Sequence, residues 1–341
     1  MKKSLMTLGV LALFVLMAYG QEKKFALYSV AFYNMENLFD TIHDEGKNDY
    51  EYLPNGTNQW NTMKYKAKLK NMSEILSMLS TDKLPMGPAI IGVSEIENYR
   101  VLEDILKQPA LADKGYQYVH YEGEDRRGVD CAFFYNPKLF ELTNSKLVPY
   151  VYINDTVHKT RGFLIASGNI AGEKMHFIVN HWPSRAAASP ARERAGEQVR
   201  AIKDSLLKED SAAKIVIMGD MNDDPMDKSM AVALGAKRKP ADVGPTDLYN
   251  PWWDTLKKGY GTLMYKGKWN LFDQIVFTGN LLGIDRSTLK FYKHEIFRRD
   301  FMFQKEGKYK GYPKRTQAGG VWLNGYSDHL PTIIYLIKEV K

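Results

Sequence analysis

Short apolar runs recur along this chain, and several of them stop at a polar group instead of a simple turn. Ile215, Val216, Ile217 and Met218 form the most regular run, mostly β-branched and of buried-strand length. It ends at Gly219, after which come Asp220, Asn222, Asp223 and Asp224, and Pro225 excludes a further ladder hydrogen bond. Strands are likewise predicted at Phe25–Asn34, Ala89–Val93, Tyr116–Tyr121, Val129–Tyr135, Leu147–Ile153, Gly162–Ser167, Met175–Asn180, Asn270–Phe277, Thr288–Tyr292 and Thr332–Ile337. Helical spacing takes over at Thr62–Leu79, where Leu69, Met72, Ile75, Leu76 and Leu79 share a face and Asn61 can cap the first turn. It returns at Pro190–Leu207, with Val199, Ile202, Leu206 and Leu207 as the buried stripe. Shorter helices are predicted at Val101–Lys107 and Met226–Leu234. Residues 41–61, 235–268 and 293–325 lack clear periodicity and read as loop.

No repeat, low-complexity tract or linker interrupts this pattern, so one domain is expected over 21–341. The first 20 residues differ in character. Lys2 and Lys3 precede the uncharged apolar stretch Leu5–Ala18, and Ala18-Tyr19-Gly20 offers the small residues of a cleavage site. Residues 1–20 are therefore read as a secretory signal peptide, too short for a comfortable membrane span. An exported protein, periplasmic or extracellular, is the expectation, with no transmembrane segment once the leader is removed. Cys131 is the only cysteine among 341 residues, which excludes an internal disulfide. Its apolar strand setting suits a buried small hydrophobe better than a nucleophile. The formal charge of +7 is moderate and compatible with a phosphorylated or polyanionic substrate. Nothing in the pattern suggests a dimer, and a monomer is expected.

The chemistry lies in the polar endings. Asn34 with Glu36, Glu95, His181, Asp220 with Asn222, and Asp328 with His329 each follow an apolar run. Open α/β sheets present ligand-binding groups at such strand ends. Taken alone, the Asp220 segment could be an Asx-rich turn that starts a helix. Together the endings supply carboxylates, imidazoles and amides. Hard oxygen donors suit magnesium or manganese, and the scarcity of His and Cys counts against a structural zinc site.

Tyr33-Asn34-Met35-Glu36, Gly219-Asp220-Met221-Asn222 and Ser327-Asp328-His329-Leu330-Pro331, in that order, carry a resemblance. The chain resembles the endonuclease/exonuclease/phosphatase superfamily, which includes deoxyribonuclease I, exonuclease III, neutral sphingomyelinases and inositol polyphosphate 5-phosphatases. Asn37-Leu38-Phe39-Asp40 and His181-Trp182-Pro183-Ser184-Arg185 look like a bacterial, often exported branch. The resemblance implies an α/β four-layer sandwich, two packed mixed β-sheets flanked by helices. It implies phosphoester hydrolysis by in-line attack of water, assisted by Mg2+, with Mn2+ or Ca2+ as substitutes.

A phosphodiester repels an unaided nucleophile, so cationic groups must neutralise the charge that grows in the transition state. By the resemblance Glu95 is the principal metal ligand, with Asn34, Glu36 and Asp328 beside it. Asp220 orients or deprotonates the attacking water, and Asn222 donates to a phosphoryl oxygen. His329 contacts the scissile phosphate and is oriented by Asp273. His181 acts on the phosphate side or protonates the leaving oxygen, with Asp130 as its orienting partner. Arg161 is a phosphate-binding candidate, and a surface ion pair is its plainer alternative.

Substrate choice is expected from loops. Glu122–Gly128 carries Arg126 and Arg127, and either a phosphate clamp or a solvated hairpin fits it. Residues 298–315 interleave seven Lys and Arg residues with Phe301, Phe303, Tyr309 and Tyr312. That mixture suits single-stranded nucleic acid, and would also suit an anionic lipid surface or a plain basic face. Nucleic acid is the favoured partner, and phospholipid or a small phosphoester the alternative. A catalytically dead binding protein on this scaffold would lack one of Glu95, Asp220, Asn222, Asp328 or His329, and all five are present. An adhesin or glycan binder would call for an aromatic platform or repeat, and neither is visible.

Overall fold

The computed structural model describes residues 23–340 apart from 154 and 156, so the expected leader at 1–20 lies outside the described residues. In chain order the first strands are β1 (Lys24–Leu38), β2 (Ile90–Ile96), β3 (Gln117–His120) and β4 (Asp130–Tyr135). The next are β5 (Phe140–Val148), β6 (Phe163–Ile170), β7 (Glu173–His181) and β8 (Lys214–Asp220). Short strands follow: β9 (Ala236–Lys237), β10 (Leu248–Tyr249), β11 (Leu263–Tyr265) and β12 (Lys268–Asn270). The last are β13 (Asp273–Thr278), β14 (Lys290–Ile296), β15 (Gln317–Ala318), β16 (Val321–Trp322) and β17 (Thr332–Val340). The helices are α1 (Thr62–Met78), α2 (Tyr99–Leu106), α3 (Ser189–Glu209) and α4 (Trp253–Lys257).

Two mixed sheets result, one ordered β14-β17-β1-β2-β4-β3 and the other β5-β6-β7-β8-β13-β10-β9. Parallel neighbours need a crossover connection. The two parallel pairs of central strands have one each: α1 lies between β1 and β2, and α3 between β7 and β8. Alternation along the strands then builds three apolar layers. Val30 and Phe32 of β1 face Val216 and Met218 of β8 in the layer between the sheets. Ala31 and Tyr33 pack outward with Leu69, Met72 and Ile75 of α1, and Ile215 and Ile217 pack outward with Val199 of α3. Strands buried on both faces read as continuous apolar runs. The architecture is therefore helix, sheet, sheet, helix.

Asn61 caps α1, its side chain accepting from the Lys64 N–H at 3.1 Å. Other expectations shift. The predicted strand Leu147–Ile153 is replaced by β5, because Pro149 lacks the N–H a ladder requires and ends the strand at Val148. The Met226–Leu234 helix shrinks to a π-helical turn at Ser229–Leu234. The loop at 235–268 contains β9, β10, α4 and β11. No helix among the described residues is long and apolar enough to cross a membrane.

Candidate active site

The two sheets bring the ends of β1 and β2 from one side against the ends of β7 and β8 from the other. At this edge the backbone leaves ordinary strand geometry. The register between β1 and β2 shifts between Asn34 and Leu38, and Glu36, Asn37, Glu95 and Asn222 have φ of 46°, 52°, 60° and 51°. Such left-handed non-glycine residues cost about 1–3 kcal/mol each and cluster where side chains must be aimed. Gly219 permits the close approach just before Asp220. A Cβ there would lie 2.4 Å from the Asn180 carbonyl oxygen of β7.

Asp220 is the centre of the arrangement. Its carboxylate accepts from Asn34 Nδ2 at 3.0 Å and from the Asn222 N–H at 3.0 Å. Asn34 Nδ2 also reaches Glu95 Oε1 at 3.1 Å, and the Asn37 N–H donates to Glu95 Oε2 at 2.7 Å. His181 Nε2 stands 3.7 Å from Glu95 and 3.8 Å from Asp220. On the other flank His329 Nδ1 meets Asp273 Oδ2 at 2.7 Å, leaving Nε2 facing Asp220 at 3.9 Å. Ser327 fixes this flank, donating to the Asn34 carbonyl at 2.8 Å and accepting from the His329 N–H at 3.1 Å. Asn222 Nδ2 donates to the Trp182 carbonyl at 3.0 Å, which commits one amide hydrogen and leaves the other.

Electrostatics separates the two histidines. Burial, then Arg161 and Arg127, hold the His181 imidazole well below the usual histidine range, so it is neutral. Burial also opposes charge on His329, but Asp273 and Asp220 outweigh it and hold the imidazolium well above that range. Burial pushes the Asp220 carboxyl up to about 7, with His329 pulling it down and Asp273 and Glu95 adding to the rise.

Glu36 and Asp328, expected beside a metal, share a cation: Arg315 Nε donates to Glu36 at 2.9 Å and Nη2 to Asp328 at 2.6 Å. Two other residues meet partners that were not expected. Asp130 does not orient His181. Asp130 opens β4, where it meets His120 Nε2 at 3.2 Å and the Gly123 N–H at 3.1 Å, while His181 Nδ1 is buried without a partner among the described residues. Arg161 makes a buried ion pair, not a surface one. It is buried, donating to Asp125 at 3.1 Å and to the Trp182 carbonyl at 2.8 Å, so it braces the turn that carries His181.

The sequence reading also missed Lys68. It lies on the buried face of α1, with Nζ 3.6 Å from Glu36 and donating to the Tyr326 carbonyl at 2.7 Å. Burial lifts the Glu36 carboxyl, with Asp328 adding to it, and lowers the Lys68 ammonium, against their mutual attraction. A signal was present: Lys68 falls within the spacing of Tyr65, Leu69 and Met72, where a cation is out of place unless it has a buried partner.

The donor set fits a divalent cation. Glu95, His181 and Asp220 each offer an atom within 4.8 Å of the others. Two carboxylates converge on a neutral imidazole, and among the described residues neither carboxylate pairs with a Lys or Arg. Glu95 and Asp220, with Asn34 between them, are the residues that would hold it. Hard oxygen groups of this kind suit magnesium, manganese or calcium.

Solved structures share the fold. An endonuclease/exonuclease/phosphatase family protein from Bacteroides thetaiotaomicron aligns with a TM-score of 0.58 at 15% identity, covering 93% of this chain and 97% of that one. A mannosyl-6-phosphatase from the same organism gives 0.56 at 15% identity, covering 91% and 99%. D. rerio TDP2, complexed with a single-strand DNA product, gives 0.53 at 14% identity, covering 91% and 99%. At these identities the likeness is one of fold. No curated protein sequence matches the chain. The superfamily consists of phosphoester hydrolases, generally dependent on a divalent metal. Its family model matches residues 29–338, nearly the whole of the described structure, and the chain belongs to the endonuclease/exonuclease/phosphatase family.

Proposed function

We propose that this protein is an exported, divalent-metal-dependent phosphodiesterase that acts on nucleic acid. The observation that carries the reading is Asp220, buried and faced at once by Asn34, His181 and the His329–Asp273 pair. A phosphate entering between His329 and Asp220 meets a cationic donor on one side and a carboxylate able to orient water on the other. His329, kept charged by Asp273, stabilises a phosphoryl oxygen as negative charge grows there. Asp220 aims the attacking water, and Asn222 has an amide hydrogen to offer a second oxygen. His181, neutral and beside Glu95, lies where a leaving oxygen can be met. A metal at Glu95 and Asp220 would supply charge neutralisation at the phosphoryl oxygens.

Three observations favour nucleic acid over a lipid or sugar phosphate: the excess of Lys and Arg, the TDP2 likeness, and aromatic residues interleaved with the basic ones. The mannosyl-6-phosphatase likeness supports a second reading, a phosphatase on a small ester. Export is proposed from the leader-like residues 1–20.

Residues 21–341 should nick plasmid DNA or cut single-stranded RNA with Mg2+, Mn2+ or Ca2+, and lose the activity in EDTA. Asp220→Asn should lower kcat by about 10²–10⁴-fold without altering the fold. Hydrolysis of bis-p-nitrophenyl phosphate or sphingomyelin alone would move the assignment to the second reading. Turnover by Asp220→Asn at the wild-type rate would overturn both.

A further inference from the structure

The segment between β14 and β17 builds more than the catalytic cluster needs. A cavity of about 750 Å³ opens beside Asp328 and Arg315, walled by Leu263, Tyr265, Tyr309 and Tyr312. It is continuous with the cluster. Arg315 also holds Glu36, Asp328 stands 4.0 Å from His329 Nε2, and Leu263 bridges the His329 backbone. Its volume is that of a small-ligand site, about 300–1,000 Å³.

The rings present usable faces. Tyr265 and Tyr309 are 61% and 51% exposed. Tyr312 is fixed, its hydroxyl accepting from the Gly267 N–H at 2.6 Å and its ring meeting Tyr309 edge to face at 5.4 Å. Gln304 lines this groove and also a second concavity of about 390 Å³. That second basin carries Arg298, Arg299, Lys305 and Lys310, with Asp300 as the one acid in its lining. Arg298 is pinned there by Trp269 and Phe303, whose ring centroids lie 4.9 Å and 5.0 Å from its guanidinium carbon.

We propose that the groove and basin together hold single-stranded nucleic acid alongside the scissile phosphate, with bases on Tyr265 and Tyr309 and phosphates at Lys305 and Lys310. The proposal rests on the phosphodiesterase reading and adds to it the selection of single strands. Flat π-faces beside a cationic track match unstacked bases on a charged backbone, with little demand for sequence. A duplex keeps its bases stacked and offers these rings nothing. A bilayer calls for apolar side chains that enter it from an amphipathic surface, whereas these rings wall a groove.

Binding is measured in the Asp220→Asn background, where cleavage does not consume the probe, by fluorescence anisotropy of a labelled oligothymidylate. Tyr265→Ala with Tyr309→Ala should weaken binding about tenfold or more. Lys305→Gln with Lys310→Gln should weaken it and lower the salt slope by about two phosphate contacts' worth. The same pairs in the active enzyme should leave turnover of bis-p-nitrophenyl phosphate unchanged. Unaltered oligonucleotide affinity in the tyrosine variant, or equal affinity for the duplex form, overturns the proposal. So does binding to phosphatidylglycerol vesicles in place of the oligonucleotide, which would make the face a membrane contact. The two readings fail separately. Nucleic-acid cleavage that continues unchanged in the tyrosine and lysine variants sinks the groove alone, and oligonucleotide binding without any hydrolysis sinks only the enzyme reading.

Discussion

Single side chains at this site are set by what burial demands of them. Lys68 is completely inaccessible and Glu36 nearly so; Glu36 has Arg315 at 2.9 Å as well as Lys68 at 3.6 Å, whereas Glu36 is the charged partner of Lys68. Removing Glu36 therefore leaves an uncompensated buried ammonium, which costs about 3–5 kcal/mol. Glu36→Gln should lower stability by about 3 kcal/mol, read as a shift of the urea midpoint at constant slope. Adding Lys68→Met should recover part of that loss, because the two changes are coupled. At this scale the sequence was partly legible. The polar residues at the run ends were all visible, and the structure brings Asn34, Glu95, His181, Asp220, Asp273 and His329 together. Partner choice was not visible. Asp130 opens β4 and His181 closes β7, in different sheets, and no spacing says which strand ends meet.

Elements were legible where one face is apolar and the other is not. The stripe of α1 and the doubly buried runs of β1 and β8 follow directly from their periodicity. The edge strand β5 did not, because its Thr143, Asn144, Ser145 and Lys146 face outward or lie at a register shift and break the alternation. β14 was expected only as far as Tyr292, and the loop-like stretch from 293 hid its second half, where His294 is packed against Trp252 and bonded to the Thr255 hydroxyl at 2.9 Å. Burial, then Lys258, push this imidazole down to about 4. Between the ordinary value near 6.5 and that value, the unfolded chain binds a proton that the folded chain refuses. Stability is thus full above about pH 6.5 and falls as pH drops toward 4, by about 3 kcal/mol for the 2.5-unit gap. His294→Gln should flatten the loss of Tm between pH 7 and 4.5 relative to the wild type.

At the scale of the molecule, the family and its layered fold were legible because the chemistry is concentrated in a few short motifs. The substrate groove was only half legible. Its basic and aromatic composition stood out, but the walls come from β11 and from residues 304–323, far from the first motifs in sequence. One feature of the layering has a kinetic side. Asn34 and Glu95 hang from one sheet, and His181, Asp220 and Asp273 from the other. A chain with either sheet formed and the other undocked has no nucleophile-orienting site at all. During synthesis such a chain would be latent, carrying its chemistry in two harmless halves. In refolding from urea, hydrolysis should return with the slowest tertiary phase and never with the early recovery of secondary structure, as paired activity and circular-dichroism traces would record.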